Sequence, residues 1–309
     1  MKYTRLKYDK LQTYSIKKRK SKVSVKNFFN FNGNGFLEQL PDILAGKDLK
    51  AIVEAAVAAK KNNKKLVIAM GAHVIKVGLS PLLIELMKKG LIDLIAVNGA
   101  CIIHDTETAM HGETSEDVES AIKNGNFGMC DETGVFLNNA INQGYKDKMG
   151  LGESVGKFLY ESDFKYKDYS IIQNAYKYDI PVTVHVAVGT DIIHMHPHCS
   201  GAAVGETSLT DFKIFCNIIK ELQNGIYFNI GSAVILPEIF LKAVTLVRNL
   251  GYELNSFTTV NLDFIKHYRP VSNVVQRPTS NGGKGFNITG HHEIMVPLIF
   301  LNILNKLEE

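Results

Sequence analysis

The stretch LIDLIAVNGACIIHD, Leu91 to Asp105, decides how the chain is read: a continuous apolar run closes on Asn98 and Gly99 and gives way at once to polar residues. Apolar character without alternation is what a strand covered on both faces of a parallel sheet requires. The design repeats outward in both directions. LVIAMG (Leu66 to Gly71), PVTVHVAVG (Pro181 to Gly189), IYFNIG (Ile226 to Gly231) and SFTTVNL (Ser256 to Leu262) are the other predicted strands, three of them closing on glycine. Between the strands, apolar residues recur near the helical period and predict helices over residues 49–61, 81–89, 116–124, 133–143, 170–177, 209–222, 237–250 and 292–304. Ser80 before Pro81 and Ser115 before Glu116 read as helix starts. Alternation of strand and helix predicts a doubly wound, mostly parallel Rossmann-like α/β sheet with helices on both faces.

The chain has 309 residues, 45% of them hydrophobic, enough for a large core. Composition shifts only near the start, so the expected organisation is a basic arm over residues 1–40 and a single domain over residues 41–309. The net charge of +4 is small, and Lys17, Lys18, Arg19, Lys20, Lys22 and Lys26 crowd into that arm. No basic patch interleaved with aromatics follows it, which argues against nucleic acid as a partner. Neither a signal-peptide pattern nor an apolar run of membrane-spanning length is present, so a cytoplasmic protein is expected. Cys101, Cys130, Cys199 and Cys216 lack CxxC spacing and read as reduced thiols.

Ligands of open parallel sheets bind beyond the carboxyl ends of the strands, which directs attention to Gly71, Gly99, Gly189 and Gly231. GAHVIKVG (Gly71 to Gly78), followed by Leu79 and Ser80, is a glycine-punctuated turn with Lys76 nearby, suited to a phosphate. After Gly99 come Ala100, His104 and Asp105; the last two suit ribose hydroxyls, an amine or general acid–base work, while Asp105 also suits a turn cap. In HVAVGTDIIHMHPHC (His185 to Cys199), Asp191 is followed by His194, His196 and His198 in alternation. On an extended chain these point one way and make half of a divalent-metal site, to be completed by His291, His292 and Glu293. The competing reading has them hydrogen bonding to substrate or backbone. Gly231 with Ser232 makes a second close-approach turn, and Gly282, Gly283, Lys284 and Gly285 read as a flexible loop able to fold over a ligand.

Taken in order, the segments from Gly71 to the C-terminus resemble deoxyhypusine synthase. LIDLIAVNGACIIHD is similar to that family's strand and loop ending in a TGANLVHD-type motif that approaches NAD. SIIQNAYKYDIPVTVHVAVGTD (Ser170 to Asp191) is similar to its helix, its IP strand and its TD motif, and YFNIG (Tyr227 to Gly231) to the strand before its glycine-rich NAD-binding turn. The resemblance implies a Rossmann-like fold, a homotetramer and NAD. It puts Gly99, Ala100, His104 and Asp105 in the NAD-side loop, Asp191 at the aspartate of the TD motif and Gly231 at the first glycine of the GGGVPK-type turn.

Two departures bear on chemistry. HHEI (His291 to Ile294) sets Glu293 where the family's WGKI-type segment carries an imine-forming lysine, and the chain has no tryptophan. GSAVILPE (Gly231 to Glu238) replaces GGGVPKHH and its histidine. Neither a carboxylate nor an imidazole forms that imine; Lys284 is the lysine nearest in sequence. The expectation is an NAD-dependent enzyme acting on a small substrate of amine type by a reaction other than deoxyhypusine synthesis. His104, Asp191, His292 and Glu293 are the expected catalytic residues, and Gly71, Ser80, Gly99, Ala100, Asp105, Gly231 and Ser232 the cofactor-binding ones. A metal-dependent enzyme using His194, His196 and His198, and a non-catalytic ligand-binding protein, are the alternatives.

Overall fold

Six strands form one sheet: β1 (Leu66–Met70), β2 (Leu94–Asn98), β3 (Val182–His185), β4 (Ile226–Ile230), β5 (Thr258–Asp263) and β6 (Lys284–Thr289). Every neighbouring pair is parallel, in the order β3-β2-β1-β4-β5-β6. The fold is therefore the doubly wound α/β sheet that the apolar runs predict. The strand order reverses between β1 and β4; in sheets of this kind the crevice outside the carboxyl ends at such a reversal is where ligands bind. The computed structural model describes residue 12 and residues 35–308; the basic cluster of residues 17–26 lies outside the described residues. Two compact units divide the chain, Met1–Lys47 and Asp48–Glu309.

The principal helices are α1 (Leu44–Lys61), α2 (Ser80–Lys88), α3 (Gly99–His111), α4 (Asp131–Asp147), α5 (Leu151–Glu161), α6 (Ile171–Lys177), α7 (Gly201–Ile219), α8 (Ile235–Asn249) and α9 (His292–Glu308). On one face of the sheet, Val67, Ala69, Leu94, Ala96 and Tyr227 pack with Phe215 and Ile219 of α7 and Phe240, Val244 and Val247 of α8. Tyr227 stacks on Phe240 with ring centroids 3.8 Å apart. The adjacent strand residue Phe228 points to the other face and meets Phe300 of α9 at 5.0 Å. Strands buried on both faces account for the missing alternation in the sequence.

Three elements differ from expectation, each for a physical reason. The polar stretch after Asn98 is a helix: the Asn98 side chain accepts the Cys101 N–H, and Gly112 closes α3 with φ 83°. Helix α5 is hidden by Gly152 and Gly156, weak helix formers; a Cβ on Gly152 would lie 2.1 Å from the Val182 carbonyl oxygen, so close packing on β3 demands glycine. The loop drawn over Gly282–Gly285 is half strand. Lys284 and Gly285 begin β6, and Gly285 is glycine because a Cβ there would lie 2.0 Å from the carbonyl oxygen of Val275, in the π-helical turn Val271–Gln276. Two caps also move: Leu79 occupies the cap of α2 with Ser80 inside the helix, and Asp117, not Ser115, caps the short helix Val118–Ile122.

Across β4, β5 and β6 runs a row of carboxamides. Asn229, Asn261 and Asn287 lie in register; Asn229 donates to Asn261 at 2.7 Å and Asn261 to Asn287 at 2.9 Å. Among the described residues no helix is long and apolar enough to cross a membrane.

Candidate functional site at the carboxyl edge of the sheet

The ends of β1 and β4 touch through glycine. The Gly71 N–H donates to the Ile230 carbonyl at 2.9 Å, and a Cβ on Gly71 would lie 2.4 Å from the Gly231 oxygen. Gly231 itself has φ +65°, and a Cβ there would meet the His292 ring at 2.7 Å. Beyond it, the Ser232 hydroxyl accepts the Leu236 N–H at 3.3 Å in the first turn of α8, whose own cap residue, Val234, supplies no side-chain acceptor.

His292 opens α9 with its ring fully buried. Its Nε2 lies 3.4 Å from the Leu262 carbonyl and 4.0 Å from Asp263 Oδ1, while Nδ1 has no partner. A carbonyl oxygen only accepts, so Nε2 carries the hydrogen and Nδ1 is a bare lone pair. Burial holds the imidazole below its ordinary pKa, opposed by the Asp263 charge and assisted by His73. The His73 ring stands edge-on to His292 with centroids 5.2 Å apart. Phe264 contacts both rings and stacks on His291 at 6.4 Å. Asp263 Oδ2 is also 4.0 Å from Nε2 of His267.

On the other side of β1, the Asp191 carboxylate rests on the start of α3, where a Cβ on Gly99 would lie 2.0 Å from Oδ2. Burial raises the Asp191 pKa. His194 Nδ1 accepts the N–H groups of Gly189 at 3.2 Å and Asp191 at 3.3 Å, holding the loop that delivers this carboxylate. Ala100 follows Gly99 in the first turn of α3.

The fold thus gathers Gly71, Gly99, Ala100, Asp191, Gly231, Ser232, His292 and Glu293 along one edge. Other expected residues lie elsewhere. His104 sits more than a turn into α3, its Nδ1 2.7 Å from the Thr114 hydroxyl, which donates to Glu107 at 2.6 Å; burial lowers its pKa. Asp105 is fully buried and caps α6, accepting from the Ser170 hydroxyl and from the N–H groups of Ile171 at 2.8 Å and Ile172 at 3.1 Å. Of its two sequence readings, the cap is the one the geometry displays. Ser80 is buried in the first turn of α2.

The alternating histidines form no metal half-site, because the segment is not extended. Ile192–Met195 is a 3-10 turn, which sends His194 to the loop backbone and His196 to the Gly128 carbonyl at 2.9 Å. His198 is exposed. Among the described residues no group of three or more His, Cys, Asp or Glu is placed to hold a metal ion. Lys284 pairs with Thr258 at the amino ends of β6 and β5, whereas Glu293 follows the carboxyl end of β6, so Lys284 is at the wrong edge to replace the missing lysine. A cavity of 610 Å³ touching Lys64, Asn224 and Lys284 lies at that amino edge too, away from the crevice.

Sequence reasoning named none of His73, Asp263, Phe264 and His267 as a site residue, although His73 lies within the GAHVIKVG turn. A signal was present: Asp263 closes the β5 run and His267 follows four residues later, as polar residues follow the other strands.

No family model matches the chain, and no curated protein does. Solved structures do. The ternary complex of AgrE with ornithine and NAD+ aligns over 88% of this chain and 35% of its own, at 12% identity and a TM-score of 0.52. ArgZ, an arginine dihydrolase from the ornithine–ammonia cycle in cyanobacteria, aligns over 84% of this chain and 31% of its own, at 14% identity and a TM-score of 0.51. A candidate deoxyhypusine synthase from Entamoeba histolytica aligns over 90% of this chain and 96% of its own, at 12% identity and a TM-score of 0.48. The chain spans about a third of the length of the AgrE and ArgZ chains. What it shares with AgrE and ArgZ is the doubly wound α/β fold.

Proposed function

We propose that this chain is an NAD-dependent enzyme related to deoxyhypusine synthase, a cytoplasmic homotetramer that removes hydride from a carbon bearing nitrogen or oxygen in a small substrate of amine type. The observation that carries the reading is the buried imidazole of His292, its Nδ1 without a partner, standing against Gly231 beside the strand-order reversal. A buried polar atom without a partner calls for a missing one.

The residues suit a dinucleotide. Gly71 and Gly231 keep side chains out of the seam between β1 and β4, and the Gly231–Ser232 turn leads into the positive end of α8, a favourable place for a diphosphate. The start of α3 is the less favourable of the two helix ends, since the Asp191 carboxylate already rests on it. The nicotinamide would supply the hydride acceptor. No lysine stands at the carboxyl end of β6, where Glu293 follows the strand, so the reaction proceeds without an imine to the chain at that position.

Calorimetry with NAD+ and with NADH tests the proposal. Saturable heat with either is expected; absence of both heat and thermal shift overturns it.

A further inference from the structure

His292 is enclosed, yet two of its neighbours lead out of the core. His73, partly exposed at the end of β1, stands edge-on to it at 5.2 Å. On the other side, Asp263 places one carboxylate oxygen 4.0 Å from His292 Nε2 and the other 4.0 Å from Nε2 of His267, whose side chain is 39% exposed. The order in space is crevice, His73, His292, Asp263, His267, solvent. The charged and titratable groups acting on His292 are Asp263 from β5, His73 from the turn after β1, and Glu293 from its own helix.

We propose that these four side chains form a proton relay, in which His73 exchanges a proton with the ligand and His292, Asp263 and His267 connect it to solvent. The inference rests on the crevice being the reacting site. When an H–C–X–H group, with X nitrogen or oxygen, is oxidised, the C–H hydrogen leaves as hydride to the nicotinamide and the electron pair of the X–H bond forms C=X. The X–H proton passes to His73. His73 gives a proton to the bare Nδ1 of His292, His292 releases its Nε2 proton to Asp263, and Asp263 passes one to His267 and water. The next turnover begins once the His292 ring regains its Nε2–H tautomer. The separations exceed hydrogen-bond length, as those of catalytic groups often do before the ligand is bound. A structural role for His292 alone gives no reason for a buried nitrogen with no partner; a relay does, because the vacant lone pair is the receiving end.

Imidazole NMR on protein labelled with nitrogen-15 in histidine reads the relay without any cofactor. The wild type is expected to show His292 as the neutral Nε2–H tautomer, with that hydrogen exchanging readily with water despite burial. His267→Gln, a change at a partly exposed side chain, should slow the exchange about a hundredfold, the lower end of what a positioned proton-transfer group supplies. Asp263→Asn should slow it further and lower the His292 midpoint. His73→Gln should leave the tautomer intact and, with substrate turnover, lower kcat while NAD affinity holds. An Nδ1–H tautomer in the wild type, or unchanged exchange in both His267→Gln and Asp263→Asn, overturns the relay. If Asp263→Asn fails to fold, His267→Gln alone decides. A protein that binds no NAD but shows the tautomer and the exchange effect overturns the proposed function and leaves the wired histidines standing.

Discussion

At Gly231 two constraints meet in one residue. The backbone is left-handed at φ +65°, and the His292 ring occupies the space a side chain would need, 2.7 Å from the Cβ position. Gly231→Ala therefore strains the backbone and pushes the imidazole out of place. We expect a loss of about 1–3 kcal/mol in urea unfolding and weaker binding of NAD by calorimetry; unchanged values in both would show that the seam is looser than drawn. The need for glycine at strand ends was legible in the sequence, since a strand that closes on Gly and turns is a recognisable pattern. The neighbour that imposes it was not, because His292 lies 61 positions along the chain and only the folded sheet brings the two together.

Among the elements, α6 depends on a side chain that the sequence reading assigned to the cofactor. Asp105 takes the first N–H groups of α6 and the Ser170 hydroxyl while wholly buried. Asp105→Ala leaves those donors without acceptors, and each unsatisfied buried donor costs about 1–3 kcal/mol. Urea titration should show a drop of about that size or more, together with loss of protection at the amides of Ile171 and Ile172 in hydrogen exchange. Helices and strands with clean periodicity, such as α8 and β4, were legible. Helix α3 was not, because its apolar Cys101, Ile102 and Ile103 continue a strand-like run and its polar residues look like a loop. Strand β6 was masked by Gly282, Gly283 and Gly285, two of which are required by close backbone contacts. The alternating histidines misled for a related reason: period two implies one face only if the chain is extended.

For the whole molecule, buried titratable groups set the response to pH. Burial lifts Asp211, which accepts the N–H groups of Gly152 and Val184, to about 8 and Asp105 to about 6, against 3.8 when free. Between the free and folded values the fold holds protons that the unfolded chain has lost, so these groups make stability fall as pH rises through that window. Burial also holds His185 down at about 3, and His104 and His292 below the ordinary 6.5. Below 6.5 the unfolded chain takes up protons that these histidines refuse, and stability falls as pH drops. The two trends oppose each other between 3.8 and 6.5; from 6.5 to about 8 the histidines no longer oppose, and Asp211 still drives the decline. Urea unfolding should therefore weaken from pH 6.5 to pH 8, and Asp211→Asn, which keeps an acceptor for both N–H groups without a charge, should flatten that decline. A decline of equal slope in the variant would assign it to other groups.

The carboxamide row across β4, β5 and β6 has a consequence for how the sheet can deform. Apolar strands tolerate a slip of two residues, since the same face stays inward; Asn229, Asn261 and Asn287 do not, because any slip strands a buried amide. Three strands are thereby keyed into a single plate. The keying stops where β1 meets β4, since Ala69 and not a carboxamide stands opposite Asn229; a slip of β1 against the plate strands no amide.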